Sequence, residues 1–307
     1  MSARPVKMIL SDLGEFGLIG FIDRKIGKCS RALKGIGDDT AVIPLSSRKY
    51  LLFTTDMLRE GIHFTRKMPA QGIGHKALAC NISDIAAMGG IPQYAVVSLG
   101  APGTCPQRFI SGIYDGIRQT AKKFGVEIVG GDTIKCKEII INVALTGEVG
   151  KKHVIYRSGA RCGDHIFVTG PLGNSLSSGW HLNFVPRVKE AQYLVKKFRP
   201  TAMIDISDGL AADLGHILSE SRVGAVIEED LIPRRKGASL KQALHDGEDF
   251  ELLFTLPAAK AKAFESCGGK NFKSYRIGQV VDDEFGLQLR TEESGLKTVK
   301  GKGYTHF

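Results

Sequence analysis

The chain has 307 residues and a mass of 33.3 kDa, material for about two domains of ordinary size. It is 43% hydrophobic and 24% charged, which argues against a largely disordered chain, and no run reaches the roughly 20 apolar residues of a membrane span. A formal charge of +10 raises nucleic acid, an anionic membrane surface or a phosphorylated ligand as partners, but the longest basic run is Arg234-Arg235-Lys236, which argues against a DNA-binding arm or a polybasic anchor.

Near the start, Arg4 and Lys7 precede an apolar stretch, but Asp12 and Glu15 interrupt it, so it does not read as a signal peptide. Short β-branched runs at 51–55, 94–99, 126–129 and 139–146 read as strands. Between them, 74–88 reads as an Ala-rich helix stopped by Gly89-Gly90 and Pro92. The segment 106–124 opens at Pro106, repeats Phe109, Ile113, Ile117, Ala121 and Phe124, and ends at Gly125, as an amphipathic helix does. After Gly150 the texture changes. One strand, 165–169, is expected between glycine-rich loops, then a helix over 207–221, a strand over 250–255, and a polar, turn-rich tail. The order predicts α+β or α/β layers in two domains, 1–150 and 151–307. The six cysteines lie far apart with no CxxC pair, which fits a reducing compartment and predicts a cytoplasmic protein without structural zinc.

The acidic residues are more informative than the net charge. They fall in short clusters beside glycine, serine or threonine: Gly37-Asp38-Asp39-Thr40, Thr54-Thr55-Asp56, Asn81-Ile82-Ser83-Asp84, Gly130-Gly131-Asp132-Thr133 and Asp205-Ile206-Ser207-Asp208-Gly209. Hard divalent cations take such oxygen ligands, and Mg²⁺ draws only one or two carboxylates from a protein because phosphates and water complete its octahedron. Any one cluster also reads as a turn or a helix cap. Five between apolar segments read as a site for several ions. No GxxxxGK loop, no GxGxxG after a strand and no protein-kinase motif set is present. The glycine-rich turns at 130–133 and 169–173 could bring backbone N–H groups to phosphates, or be turns only, and Arg157 could neutralise a phosphate or form an ion pair.

As an ordered set, GIGDDTAV (35–42), TTDMLREGIHF (54–64), KALACNISDIAAMGGIP (76–92), GGDT (130–133), RSGARCGDHIFVTGPLG (157–173), MIDISDGLAADLGHI (203–217), HDGEDFELLFT (245–255) and KGYTHF (302–307) resemble the thiamine-monophosphate kinase family. Single motifs are shared with aminoimidazole-ribonucleotide synthetase, selenophosphate synthetase and a hydrogenase-maturation protein. The resemblance implies a two-domain synthetase-like fold. In it an N-terminal mixed sheet with helices pairs across a homodimer, and a C-terminal α/β domain completes the ATP and substrate sites. It also implies ATP- and Mg²⁺-dependent phosphorylation of thiamine monophosphate; the dispersed charge and the lack of an apolar span predict no nucleic-acid or membrane partner. Carried over by motif, Asp39, Thr54, Thr55, Asp56, Asp84, Asp132, Asp205 and Asp208 would hold magnesium ions. Tyr114, Gly131, Arg157 and Ser207 would contact ATP, and His63, Glu248 and Tyr304 would meet the acceptor. On residues alone, His63 also reads as a packed imidazole, Tyr114 as core beside Ile113 and Ile117, and Tyr304 as a frayed end unless docked. Asp246 and Phe250 depart from the family's commoner Gly and Tyr, which bears on substrate affinity more than on reaction type. A different ATP-dependent synthetase of the superfamily, or a nucleotide-binding protein without activity, are the competing expectations.

Overall fold

The computed structural model describes residues 9–27, 29–267, 272–292, 295–301 and 303–304. Arg4 and Lys7, and Lys302, Thr305, His306 and Phe307 of the closing motif, lie outside them. The first half comprises α1 (Leu10–Ile26), β1 (Ala41–Pro44), β2 (Lys49–Arg59), α2 (Ala70–Ala87), β3 (Ile91–Ala101), α3 (Gln107–Phe124), β4 (Glu127–Lys135) and β5 (Ile140–Gly150). Its five strands form a mixed sheet in the order β1-β2-β5-β3-β4, with only the β3–β4 pair parallel. Strand β5 alternates strictly, with Ile141, Val143, Leu145 and Val149 buried, so one sheet face is core and the other is not. Helix α2 covers the core face, and α3 packs on α2 backbone to backbone. A Cβ on Gly74 would lie 1.8 Å from the Ile113 carbonyl oxygen, and one on Gly116 2.0 Å from that of Gln71.

The second half comprises β6 (His165–Val168), α4 (Val188–Lys197), β7 (Ala202–Asp205), α5 (Leu210–Ser221), β8 (Gly224–Glu228), α6 (Leu240–His245), β9 (Leu252–Leu256), α7 (Ala258–Ser266), β10 (Tyr275–Val281), β11 (Leu287–Thr291) and β12 (Gly295–Thr298). Its sheet runs β12-β11-β8-β10-β6-β9-β7. Both faces are covered. Ile166, Val168, Ile204 and Leu253 point to α5 and α6, while Phe167, Met203 and Phe254 point to an aromatic layer with Phe264 of α7. Each fully buried side chain of this size stabilises by about 1.5–3 kcal/mol.

Three expectations are corrected. The tail beyond 255 is not turn-rich coil; it carries α7 and the strands β10 to β12, whose short apolar alternation is diluted by polar residues on the outer positions. Gly130-Gly131-Asp132-Thr133 is not a turn but the middle of β4, paired in parallel with Val96 to Leu99. Gly131 is required there because a Cβ would sit 1.8 Å from the Val97 carbonyl oxygen. The helix expected from 207 begins at Leu210, leaving Ser207–Gly209 as a loop.

Candidate functional site between the two halves

Helix α2 joins the halves and points one of its faces into a cleft of about 410 Å³ lined from both. Lys76, Cys80 and Asp84, spaced one turn apart, form the floor. Strand β2 contributes Thr55, Asp56, Met57 and Leu58 from an edge that the short β1 leaves uncovered. Ser207, Asp208, Asp246, Glu248 and Phe250 close the other wall, with Glu15 and Tyr304 at the rim.

Acidic groups gather at one end. Thr54 Oγ1 donates to Asp84 Oδ2 at 2.6 Å, and Ser83 Oγ donates to Asp205 Oδ2 at 2.5 Å, so one residue of α2 has its carboxylate held by β2 and its neighbour holds a carboxylate of the second half. The Asp56 backbone N–H donates to Asn81 Oδ1 at 3.1 Å, which holds β2 to the same helix. Burial, with the Asp208 charge second, pushes Asp56 up to about 6. Burial, with the Asp39 charge next, pushes Asp205 up to about 8, and Asp84 is held well above the usual range by burial and by Asp56. Carboxylates crowded like this cannot all ionise without a cation.

A second acidic group lies beside it. Arg157 donates to Asp39 Oδ1 from Nη2 at 2.6 Å and from Nε at 3.2 Å, and its backbone N–H reaches Asp38 Oδ1 at 3.2 Å. Asp38 is pushed up to about 7 by burial and by Asp39. Yet Asp38 Oδ2, Asp39 Oδ2 and Thr40 Oγ1 are buried without a hydrogen-bond partner among the described residues. Asp38 Oδ2 has Lys34 Nζ 3.8 Å away as an ion-pair partner, and these under-satisfied oxygens, next to the crowded carboxylates, are the kind of donor set that a hard divalent cation satisfies. Asp208, Asp213 and His216 offer a further group of ligand atoms within 4.8 Å of one another. In it, Asp213 Oδ2 already accepts the N–H groups of Asp208 and Gly209 at 3.1 Å each. Neither Asp213 nor His216 stands out in the sequence.

The other end of the cleft is built differently. Lys76 is buried, with Nζ 2.5 Å from both Glu248 carboxylate oxygens and 3.1 Å from the His63 carbonyl oxygen. Glu248 and Phe250 hold positive φ of 54° and 51°, a cost of about 1–3 kcal/mol each that the surroundings must offset. The Glu248 N–H donates to Ser207 O at 2.7 Å and the Phe250 N–H to Ile206 O at 2.8 Å, while Asp249 accepts from Arg235 Nη1 at 2.7 Å and from the Gly173 N–H at 3.0 Å. The 169–173 turn therefore spends that N–H on the protein. Phe250 stacks on Phe184 with centroids 4.0 Å apart. The Asp246 carboxylate accepts the Asn174 N–H at 3.3 Å, so it faces the cleft and closes a loop. The Tyr304 N–H donates to Asp208 O at 3.3 Å, which docks that residue.

Of the residues singled out from sequence, Asp56, Asp84, Ser207, Asp208, Thr55, His63, Glu248 and Tyr304 line this cleft, and Thr54 and Asp205 bond to α2 beside it. Asp39 and Arg157 line an adjoining, more apolar cavity of about 1020 Å³, which Thr55 also borders. Gly131, Asp132 and Tyr114 do not join them within one chain. Register places Asp56 opposite Val143, Val143 opposite Val97 and Val97 opposite Gly131. That is three strand spacings, about 14 Å across the sheet. Tyr114 is exposed, although its neighbours Ile113 and Ile117 are buried, so it is not core.

Comparison with known proteins bears on the family and the fold. The AIR synthase related protein N-terminal domain matches residues 37–149 and its C-terminal domain residues 163–290. A thiamine-monophosphate kinase of Aquifex aeolicus (strain VF5) is 34% identical over 98% of this chain and 100% of its own length. The chain belongs to the thiamine-monophosphate kinase family. Members from Escherichia coli (strain K12) and Bacillus subtilis (strain 168) are 33% and 31% identical, each over 96% of this chain and over 98% and 100% of their own. Among solved structures, AaThiL complexed with AMPPCP and TMP superposes with a TM-score of 0.86 at 33% identity, covering 98% of this chain and 99% of that one. A hydrogenase maturation protein, HypE, at 22% identity and TM-score 0.70, shares the fold. Within the family the Lys76 contact was not legible in sequence: a lysine in an Ala-rich helix reads as solvated, and its partner is 172 residues away.

Proposed function

We propose that this protein phosphorylates thiamine monophosphate to thiamine diphosphate with ATP, by direct transfer between the two bound substrates. Family membership over nearly the whole chain supports the reaction, and the observation that carries it is the cleft itself, acidic at one end and closed by Glu248, Lys76 and Phe250 at the other. In the transfer, an oxygen of the acceptor phosphate forms a bond to the γ-phosphorus as the bond to the β,γ-bridging oxygen breaks, and ADP leaves. The acceptor oxygen is already anionic at neutral pH, so no side chain must take its proton, and positioning with charge stabilisation is what remains for the protein. Asp39, Thr54, Thr55, Asp56, Asp84, Asp205 and Asp208 would hold Mg²⁺, whose charge when bound screens the repulsion between two polyanions. Arg157 and Ser207 would approach the nucleotide, His63, Glu248 and Tyr304 the acceptor. Glu248 sets an anion where a cationic thiazolium would lie, beside the Phe250 face.

We further propose that two copies form the site. The open face of the first sheet exposes Phe53, Met57, Tyr94 and Val96, and every residue of β4 is exposed. An apolar sheet face flanked by a bare edge strand is an interaction surface. Thr55 lies on that face with Asp132, three strands away. Apposition of two such faces would carry Gly131, Asp132 and Tyr114 of one copy toward the carboxylates of the other. On this reading residues 1–150 supply the metal, nucleotide and pairing surfaces, and 151–307 complete both substrate sites. The purified protein, assayed with ATP, Mg²⁺ and a panel of phosphorylated acceptors, is expected to form thiamine diphosphate and ADP in equal amounts. Turnover of every acceptor except thiamine monophosphate would replace this reading with that of another synthetase of the superfamily.

A further inference from the structure

The acceptor end of the cleft has a hub that neither the acidic clusters nor the substrate contacts include. Lys76 Nζ touches both oxygens of Glu248 at 2.5 Å and the carbonyl of His63 at 3.1 Å, joining the two residues that meet the acceptor from opposite halves of the protein. It is 1% exposed. Burying an ammonium is costly unless a partner and hydrogen bonds satisfy it, and here its partners are the two groups at the acceptor's end. The Glu248 backbone is fixed separately, by Ser207 O and by Ser175 Oγ, which donates to the Glu248 carbonyl at 2.5 Å. The carboxylate itself has Lys76 as its ion-pair partner. Along α2, Lys76 stands two turns from Asp84, about 12 Å at 1.5 Å per residue, with Cys80 between them on the same face. The hub therefore marks the end of the cleft away from the crowded carboxylates.

We infer that Lys76 is a positioning residue for the acceptor: it holds the Glu248 carboxylate and the His63 turn in register, and so fixes the acceptor's organic end while its phosphate lies toward Asp56 and Asp84. This inference rests on the proposed kinase reading. Lys76 acts through Glu248 and His63, not on the nucleotide, so its loss separates the two substrates kinetically.

The test compares Lys76→Gln, Lys76→Met, Glu248→Gln and the double variant Lys76→Met/Glu248→Gln with the wild type in the full-length protein. Lys76→Gln and Lys76→Met are expected to raise KM for thiamine monophosphate by about tenfold or more while KM for ATP stays within about twofold. The double variant is expected to fall well short of the sum of the two single effects, because the part of the Lys76 effect that passes through Glu248 is already lost once Glu248 is changed, and only the part through the His63 carbonyl remains. It also removes both charges, so it remains folded and informative where Lys76→Met leaves a buried carboxylate unpaired. Equal changes in both KM values, or additive effects in the double variant, would overturn the inference alone. A wild type that forms no thiamine diphosphate would overturn the kinase reading and this inference with it.

Discussion

Asp84 sits where two demands on a carboxylate conflict. It accepts from Thr54 Oγ1 at 2.6 Å and is held well above its usual range by burial, Asp56 and Asp205. Without a cation its charge costs stability; with one it would be a ligand. Asp84→Asn keeps an acceptor for Thr54 and removes the charge, so the two properties should move in opposite directions. Activity is expected to fall by about 10²–10³-fold or more, while the thermal midpoint measured in EDTA at pH 8 rises above that of the wild type. Steady-state kinetics and a melting curve on the same preparation check both. The carboxylates were legible in sequence because short motifs keep ligand and loop together. Lys76 was not, because its meaning lies in a partner from the other half of the chain. The Asp246 substitution is equally local: its carboxylate caps Asn174, a contact that a glycine could not make.

Helix α3 and strands β2, β3 and β5 were readable because each is long and carries a period, 3.6 or 2, whereas α2, buried on nearly every side, was readable from its alanine content and the Gly89-Gly90 and Pro92 that stop it. The elements that escaped are short or weakly patterned: α1 buries none of its described side chains, β7 has four residues, and β10 to β12 belong to a sheet whose pairing is set by residues far apart in sequence. The reading of GGDT as a turn failed because glycine pairs usually punctuate, whereas here they let β4 close on β3 across a register shift. Placing GGDT in a strand has a consequence for assembly, since it puts Asp132 on the open face of the sheet. Val96→Asp, in the middle of that face, is expected to leave the chain folded but single in light scattering at concentrations where the wild type is paired. If the partner copy supplies Asp132, mixing the inactive Asp84→Asn and Asp132→Asn variants should restore about a quarter of wild-type activity, since random exchange makes half the dimers mixed and each mixed dimer has one intact site. A mixture as inactive as its components would place both residues in a site within one chain.

Across the whole molecule, the +10 surplus is a background to a cleft whose own charge is negative. The acids in and beside it carry raised values, about 6 for Asp56, about 7 for Asp38 and about 8 for Asp205. For an acid whose folded value lies above its unfolded one, the folded state binds more protons over the window between them, so stability falls as pH rises through that window. Here it runs from about 4 to about 8, and a proton bound to any of these oxygens competes with a cation for the same lone pairs. The gain in thermal midpoint from Mg²⁺ over EDTA is therefore expected to be small at pH 5.5 and to grow steadily to pH 8. The Asp205→Asn variant, lacking the highest of the three, should show a smaller gain at pH 8 and a flatter slope. A gain that is constant with pH, or equal in wild type and variant, would mean that the cation binds elsewhere and that the crowded carboxylates are relieved by protons alone.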